Sequence, residues 1–574
     1  MFVSNQKTTE QTDSVPSPAN KPSWRFGDLS AAALMPQLQR HLLDQDTKAS
    51  WQFVWLNNDG QPVIGLLPKV SWSVYPADEH SSNDSLNTYK VIKNCRGTDL
   101  NSVIGMDNSH AITTTYLSYL EWQDALIAYS NAQKADNDTA YIDTQQSTKS
   151  NYHHGLIGFI GYDITAYELS PADRIELAMQ PCASLGHYDI YLTPEETDQA
   201  ETGNVGWVLK THLTNDDASE NIGHKTKDTL LTALTSYLDE LDQKLSDKYL
   251  NQVQFKASLN MTPLVLQSRW SKEDYQQAFN QTQDYLQQGD CYQINLTQKW
   301  SGCLPYNHDS TQSTSALIDY LPALYRNTKA PFAGYLSVSD VTDNINTHIP
   351  THPFELLSCS PELFFTFTKD HNTGKHRILT KPIKGTMPRG ITDEQDESYK
   401  QQLTHSEKDR AENVMIVDLL RNDLGKYAKI GSVKVPQLFA IESFSNVHHM
   451  VSTISAELKT DTHPLAVLFG SLPAGSITGT PKKRAVEIIA ELETTPRGAY
   501  CGTMGYMNFD GSGQWNVLIR TLQANASSHN ELDTARHVNL WAGGGITVAS
   551  DCDAEYQECL DKVGNLLSVL AQKS

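Results

Sequence analysis

The run SKEDYQQAFNQTQDYLQQGDCYQINLTQKW, Ser271 to Trp300, carries a helix, its stop signal and a strand in direct succession. Ser271 is placed to accept from the backbone three residues on, and Asp274 to reach back to it, the reciprocal arrangement of a capping box. Tyr275, Phe279, Thr282 and Leu286 then keep one face, and Gly289 supplies the residue at which such helices end. From Cys291 the period changes to two. Tyr292, Ile294, Leu296 and Trp300 point one way, and Gln293, Asn295, Thr297 and Lys299 point the other. That polar face is either open to solvent or the wall of a site, and periodicity leaves both readings standing. At 574 residues the chain is too long for one simple core, so it forms two domains or one large α/β body.

Downstream, a second helix starts at Ser406 and runs through EKDRAENVMIVDLLRNDLGK, with Met415, Ile416, Leu419 and Leu420 as its apolar stripe and Arg410 and Glu412 off that stripe. A third follows Asp551, where DAEYQECLDKVGNLLSVL buries Cys559, Val563, Leu566 and Leu567. Its Glu555 and Glu558 project one turn apart, and Lys562 follows Glu558 by four residues. Such a pair is a surface ion pair worth about 0.3 kcal/mol, or two carboxylates available to a hard cation such as Mg2+. Between these helices LPAGSITGTPKKR, Leu472 to Arg484, fails as a Walker A loop, because Pro481 precedes Lys482 and no Ser or Thr follows it. It reads instead as a turn whose backbone N–H groups and Ser476 and Thr478 hydroxyls face an anion. WAGGGITVASD, Trp541 to Asp551, offers a second such nest at Gly543, Gly544 and Gly545. Tyr500 and Arg520 fall on expected strands, and a planar guanidinium is the side chain best suited to clasp a carboxylate. TKPIKGTMPRG, Thr380 to Gly390, holds Lys384, which taken alone is a solvated lysine in a Pro/Gly turn.

Upstream, the organisation divides near residues 245–270. Two polar stretches, Asn131 to Asn151 and Thr214 to Lys227, read as surface loops. GLIGFIGYD, Gly155 to Asp163, reads as a short apolar strand interrupted by glycines. The first 23 residues lack an apolar signal core and read as a disordered tail. The net charge of −22 argues against a nucleic-acid binder, since phosphate affinity needs a basic footprint. An anionic substrate must then be held by local cations, helix N-termini or a metal. Eight cysteines without a CxxC pair fit reduced thiols of a cytoplasmic protein. No stretch approaches the roughly 18 apolar residues of a membrane span.

The segments DCYQINLTQ, CSPELFF, TKPIKGTMPRG, EKDRAENVMIVDLLRNDLG, SNVHHMVS, LPAGSITGTPK, GAYCGTMGY, LIRT, AGGGITVASD and EYQECLDK follow one another in the order seen in chorismate-utilising enzymes, which this chain resembles. The resemblance is dense over 265–573 and weaker before it, where GLIGFIGYD is the best match. It implies an α/β (α+β) fold similar to anthranilate synthase component I, with large antiparallel sheets layered with helices. It further implies a tail over 1–23, an N-terminal region over 24–260 and a chorismate-binding catalytic domain over 265–573, with Mg2+ as cofactor.

Carried over residue by residue, the resemblance makes Glu362 the general acid and Lys384 a nucleophile that adds to the substrate ring. Glu412 and Glu558 would coordinate Mg2+, with Glu555 acting through a water. Arg520, Tyr500 and the backbone at Gly545 would grip the enolpyruvyl carboxylate or its neighbours, Ser476, Gly385 and Thr386 would add contacts, and His449 would lie near the reacting carbon. Members that activate water place a lysine where this chain has Gln293, and anthranilate-forming members carry PIAGT where it has PIKGT. Both positions resemble the branch that converts chorismate and ammonia to 4-amino-4-deoxychorismate, the precursor of 4-aminobenzoate and folate; the alternative is anthranilate formation for tryptophan. No second catalytic module is recognisable, so ammonia is expected from a glutamine amidotransferase subunit in a heterodimer, and no fused lyase is expected after residue 574. Thr480, where alanine is more usual, and longer loops at Asn307 to Ser315 and Asp340 to His352 are the departures.

Overall fold

The cap at Ser271 forms in the computed structural model as the residues require. The Asp274 amide donates to Ser271 Oγ at 3.2 Å and the Ser271 amide to Asp274 Oδ2 at 2.9 Å. The helix Lys272–Gln288 ends on Gly289 at φ 83°, and the strand Gln293–Cys303 follows. The structure describes residues 23–45, 51–77, 88–96, 111–137, 151–171, 175–195, 206–212, 223–249, 262–304, 316–338, 353–370, 372–444, 447–526 and 536–572. On the strand, Ile294 and Leu296 are buried with Tyr275, Ile488 and Ile489. Three of its four polar residues are buried too, Gln293, Asn295 and Thr297 being under a tenth exposed, while Lys299 is half-buried. That face is therefore an interior wall.

Among the described residues the strands form two antiparallel sheets of twelve. The first sets Val54–Leu56, Val63–Gly65, Ile190–Pro194 and Trp207–Thr211 beside Gly334–Val338, Phe354–Ser358, Thr521–Ala526, Arg536–Ile546 and Gln293–Cys303. The second sets Val70–Pro76, Thr88–Cys95, Ala111–Ser118, Gly155–Ile160 and Ala183–His187 beside Thr503–Asn508, Gly513–Asn516, Leu363–Lys369, His376–Lys381, Val447–Glu457 and Ile383–Pro388. Strands from before residue 245 join later ones at two seams, Val54–Leu56 against Gly334–Val338 and Gly155–Ile160 against Thr503–Asn508. The sheets face each other through a shared apolar layer that includes Val54, Phe159, Leu336, Leu356, Met504 and Tyr506. Burial of such aliphatic and aromatic side chains supplies about 2 kcal/mol each. Gly158 lies where a Cβ would sit 1.9 Å from the Ser184 carbonyl oxygen, so the neighbouring strand requires a glycine there.

Several local readings change. Asn131 to Asn137 continues the helix Tyr119–Asn137, and residues from 223 onward belong to the helix Gly223–Tyr249, not to loops. Leu234, Leu238, Leu241 and Leu245 form that second helix's buried row, and polar residues at its start are tolerated because propagation from the row carries them. Residues 138–150 and 214–222 of these stretches, the tail up to residue 22 and the loops 307–315 and 340–352 lie outside the described residues. Gly543, Gly544 and Gly545 are no nest; they are strand residues paired with Thr297, Leu296 and Asn295. Tyr500 and Arg520 are not on strands. Tyr500 sits in a turn before Thr503–Asn508, and Arg520 occupies a bend at φ 52° just before Thr521–Ala526.

Candidate active site

Lys384 lies on the strand Ile383–Pro388, at one end of the second sheet's strand order. This strand pairs Ile383 with Val451 and Thr386 with His449, and the register shifts between them. A bulge of this kind re-aims a side chain. Gly385 permits it at φ +80°, where a Cβ would also press within 2.7 Å of Leu403 and 2.9 Å of Asp409. The Lys384 ammonium meets Glu412 Oε2 at 3.1 Å.

Glu412 is carried by the helix Glu407–Gly425, capped by Ser406. The expected stripe is rotated. Asn413, Ile416, Val417, Leu420 and Leu424 face inward, and Glu412 is buried with them rather than standing off the stripe. Asn413 Oδ1 accepts from Ser452 Oγ at 2.6 Å, and Glu412 is met by Lys384. The floor of the site is the strand Arg536–Ile546. A Cβ on Gly545 would lie 2.5 Å from Gln293 Nε2 and 3.3 Å from Lys384 Nζ, so the bare glycine lets three elements converge on one point.

Glu362 enters from the irregular segment just before Leu363–Lys369. Its amide is held by Ser360 Oγ at 3.2 Å, and its carbonyl accepts from the Val517 amide at 3.1 Å. Burial pushes its carboxyl up to about 7, against the opposing pull of Lys384, Lys562 and Arg520 and a hydrogen bond from Ser476. Burial also lowers the Arg520 guanidinium from its ordinary value. His449 Nδ1 shares a 2.8 Å hydrogen bond with Thr386 Oγ1, and burial, with the Arg520 and His448 charges, brings it down to about 4. A carboxyl that keeps its proton to near pH 7 suits proton delivery to a bound anion, and the imidazole near Arg520, neutral at that pH, adds no charge of its own.

The structure thus brings Lys384, Glu362, Glu412, Gln293, Gly545, Ser476, Arg520, Thr386 and His449 into one region, with Gly385 shaping it. Tyr500 stands differently. It is buried and stacked on Trp541 at 5.9 Å, with the Arg497 guanidinium 6.0 Å from its ring. Burial raises its hydroxyl well above the ordinary value.

Each of the three glutamates expected to serve a metal is paired with a lysine. Glu412 meets Lys384 at 3.1 Å, Glu555 meets Lys408 at 3.0 Å and Glu558 meets Lys562 at 2.8 Å. Glu555 Oε2 and Glu558 Oε1 lie 3.0 and 4.0 Å from the Cβ position of Gly544. The donor type fits a hard dication. Glu412 Oε1 is buried without a hydrogen-bond partner, an open acceptor of the kind such an ion would use. Among the described residues no three such side chains converge into a finished metal cage, each carboxylate being drawn to its own lysine. Lys408 was not singled out by sequence. Its signal was there, because it precedes Glu412 by one helical turn in EKDRAENVM.

Residues 106–568 match the family described as chorismate binding enzyme. The chain is 35% identical to the aminodeoxychorismate synthase component 1 of Salmonella typhimurium over 424 residues, covering 73% of this chain and 77% of that one. It is 42% identical to the protein of the same name from Klebsiella aerogenes over 310 residues, 53% of this chain and 60% of that one. The crystal structure of anthranilate synthase component I from Streptococcus pneumoniae TIGR4 shares the fold, at a TM-score of 0.56 and 20% identity, covering 88% of this chain and 91% of that chain.

Proposed function

Because the chain belongs to the chorismate-binding enzyme family, we propose that it converts chorismate and ammonia to 4-amino-4-deoxychorismate, on the route to 4-aminobenzoate and folate. The observation that carries this reading is the lysine amine of PIKGT, 3.1 Å from Glu412 and next to Gln293 and the Gly545 floor. An amine there adds to the ring; an alanine, as in anthranilate-forming relatives, does not. Similarity to relatives named aminodeoxychorismate synthase component 1 supports the same branch.

The chemistry follows from the groups in place. Hydroxide leaves ring carbon 4 only if protonated, and Glu362, near 7 through burial, holds a transferable proton at neutral pH. Lys384, once free of its own extra proton, forms a bond to ring carbon 2 as the C4 hydroxyl departs as water. Ammonia then attacks ring carbon 4 and expels the Lys384 amine, so one difficult substitution becomes two easier ones. Arg520, Ser476, Thr386 and the Gly545 backbone hold the carboxylates, and Gln293, which has no basic nitrogen, does not activate water as a competing nucleophile. Glu412 and Glu558, with Glu555 through a water, would hold Mg2+, which when bound supplies positive charge for the ring carboxylate. Ammonia would come from a glutamine amidotransferase partner in a cytoplasmic heterodimer. Eight free cysteines agree with that compartment. Among the described residues no helix is long and apolar enough to cross a membrane.

The test is incubation of the purified chain with chorismate, Mg2+ and an ammonium salt, followed by an aminodeoxychorismate lyase. Release of 4-aminobenzoate is expected; accumulation of fluorescent anthranilate instead would refute the reading.

A further inference from the structure

Three carboxylates and three ammonium groups share the corner of the site built on Gly543 to Gly545. Two of the lysines are committed. Lys384 faces the Gly545 floor as the nucleophile, and Lys562 donates to the Gly543 carbonyl at 2.8 Å as well as to Glu558. Lys408 is different. It leaves the first turn of Glu407–Gly425 to meet Glu555 Oε1 at 3.0 Å, and its side chain is 48% exposed where that of Glu555 is 3%. Ser550 Oγ donates to the same carboxylate oxygen at 2.8 Å. Glu555 is thus fixed in the wall, and its cation is tethered by a flexible stem with an open way into water. The Lys408 ammonium also lies in the field of Glu412 and Glu558.

We infer that Lys408 is a displaceable internal counter-cation, which neutralises Glu555 while the site holds no metal and swings into solvent when Mg2+ binds, so that it sets the metal affinity. The inference rests on the metal reading of Glu412, Glu555 and Glu558 proposed above. Its physical basis is charge. With three glutamates already balanced by three lysines, a dication entering alone meets repulsion from every ammonium that stays, and the half-exposed one leaves most readily. Displacing it couples metal binding to a side-chain movement of known identity.

The experiment titrates Mg2+ into the full chain and into Lys408→Met, both without chorismate, by isothermal titration calorimetry, with Mn2+ and electron paramagnetic resonance as a second readout. Lys408→Met is expected to bind the metal about tenfold more tightly, within the usual range for coupled sites. Metal-free, it should melt below the parent because Glu555 is left buried without its cation, and saturating Mg2+ should close that gap. Lys408→Arg, which keeps the charge, should retain the parent's affinity. Equal or weaker metal binding by Lys408→Met overturns the inference, as does a melting deficit that Mg2+ leaves in place. A parent that binds no Mg2+ overturns both this and the metal reading. The product assay runs separately on the parent, so a wrong product would sink the proposed reaction and leave the Lys408 result standing.

Discussion

Replacing Glu362 with glutamine should abolish turnover and yet make the protein more stable at alkaline pH. The carboxyl is buried, and its pKa rises from 4.5 to about 7 in the fold. Below 4.5 the group is protonated in both folded and unfolded chains and favours neither. Between 4.5 and 7 the unfolded chain releases the proton while the fold keeps it, so stability falls as pH rises. Above 7 the fold carries a buried charge, and the accumulated loss is about 3 kcal/mol at 1.36 kcal/mol per pH unit. Glutamine has nearly the same shape, still accepts from Ser476 and never ionises. For 574 residues, with an unfolding entropy of about 2 cal/mol/K per residue, this corresponds to a Tm gain of about 3 °C. Differential scanning fluorimetry of parent and Glu362→Gln from pH 5 to pH 9 should show the curves together at the acid end and separating through pH 7. A variant less stable than the parent at pH 8, or a difference independent of pH, would refute the claim that burial controls this carboxyl.

Gly545→Ala should keep the fold and lower kcat/KM by about 100-fold, because its methyl would fall 2.5 Å from Gln293 Nε2 and 3.3 Å from the Lys384 amine; steady-state kinetics with a melting curve separates the two effects. Arg497→Ala should lose about 3–5 kcal/mol in urea denaturation, since Glu493 is left buried and the Ile477 and Asn295 carbonyls lose their donor. Lys384→Ala should form no covalent adduct with chorismate by intact-mass spectrometry, and an adduct persisting in that variant moves the nucleophile elsewhere.

The elements legible from sequence were those decided within a few residues. Ser271, Asp274 and Gly289 settle the ends of Lys272–Gln288 through bonds spanning three or four positions. Asp551 caps the last helix in the same way, through the Ala554 amide. What the sequence hid was set by distant partners. Three consecutive glycines look like an anion nest, but pairing with Gln293–Cys303 stretches them, and the demand for bare backbone comes from the Leu296 carbonyl at Gly543, Glu555 at Gly544, and Gln293 and Lys384 at Gly545. Apolar letters alone misplace the stripe of Glu407–Gly425, because Asn413 and Glu412 face inward once Ser452 and Lys384 supply partners. The family motifs named the site residues, but the pairing of each glutamate with a lysine follows only from the fold.

The seam between Gly155–Ile160 and Thr503–Asn508 sets a timetable for the chain's birth. Ile160 pairs with Thr503, a partner 343 positions later, so at about 5–20 residues per second a ribosome takes about 20–70 s to deliver it. Throughout that interval an apolar strand has one open edge, an invitation to pair with a neighbouring nascent chain. Yield in a heterologous host should therefore respond to translation speed and to chaperone supply.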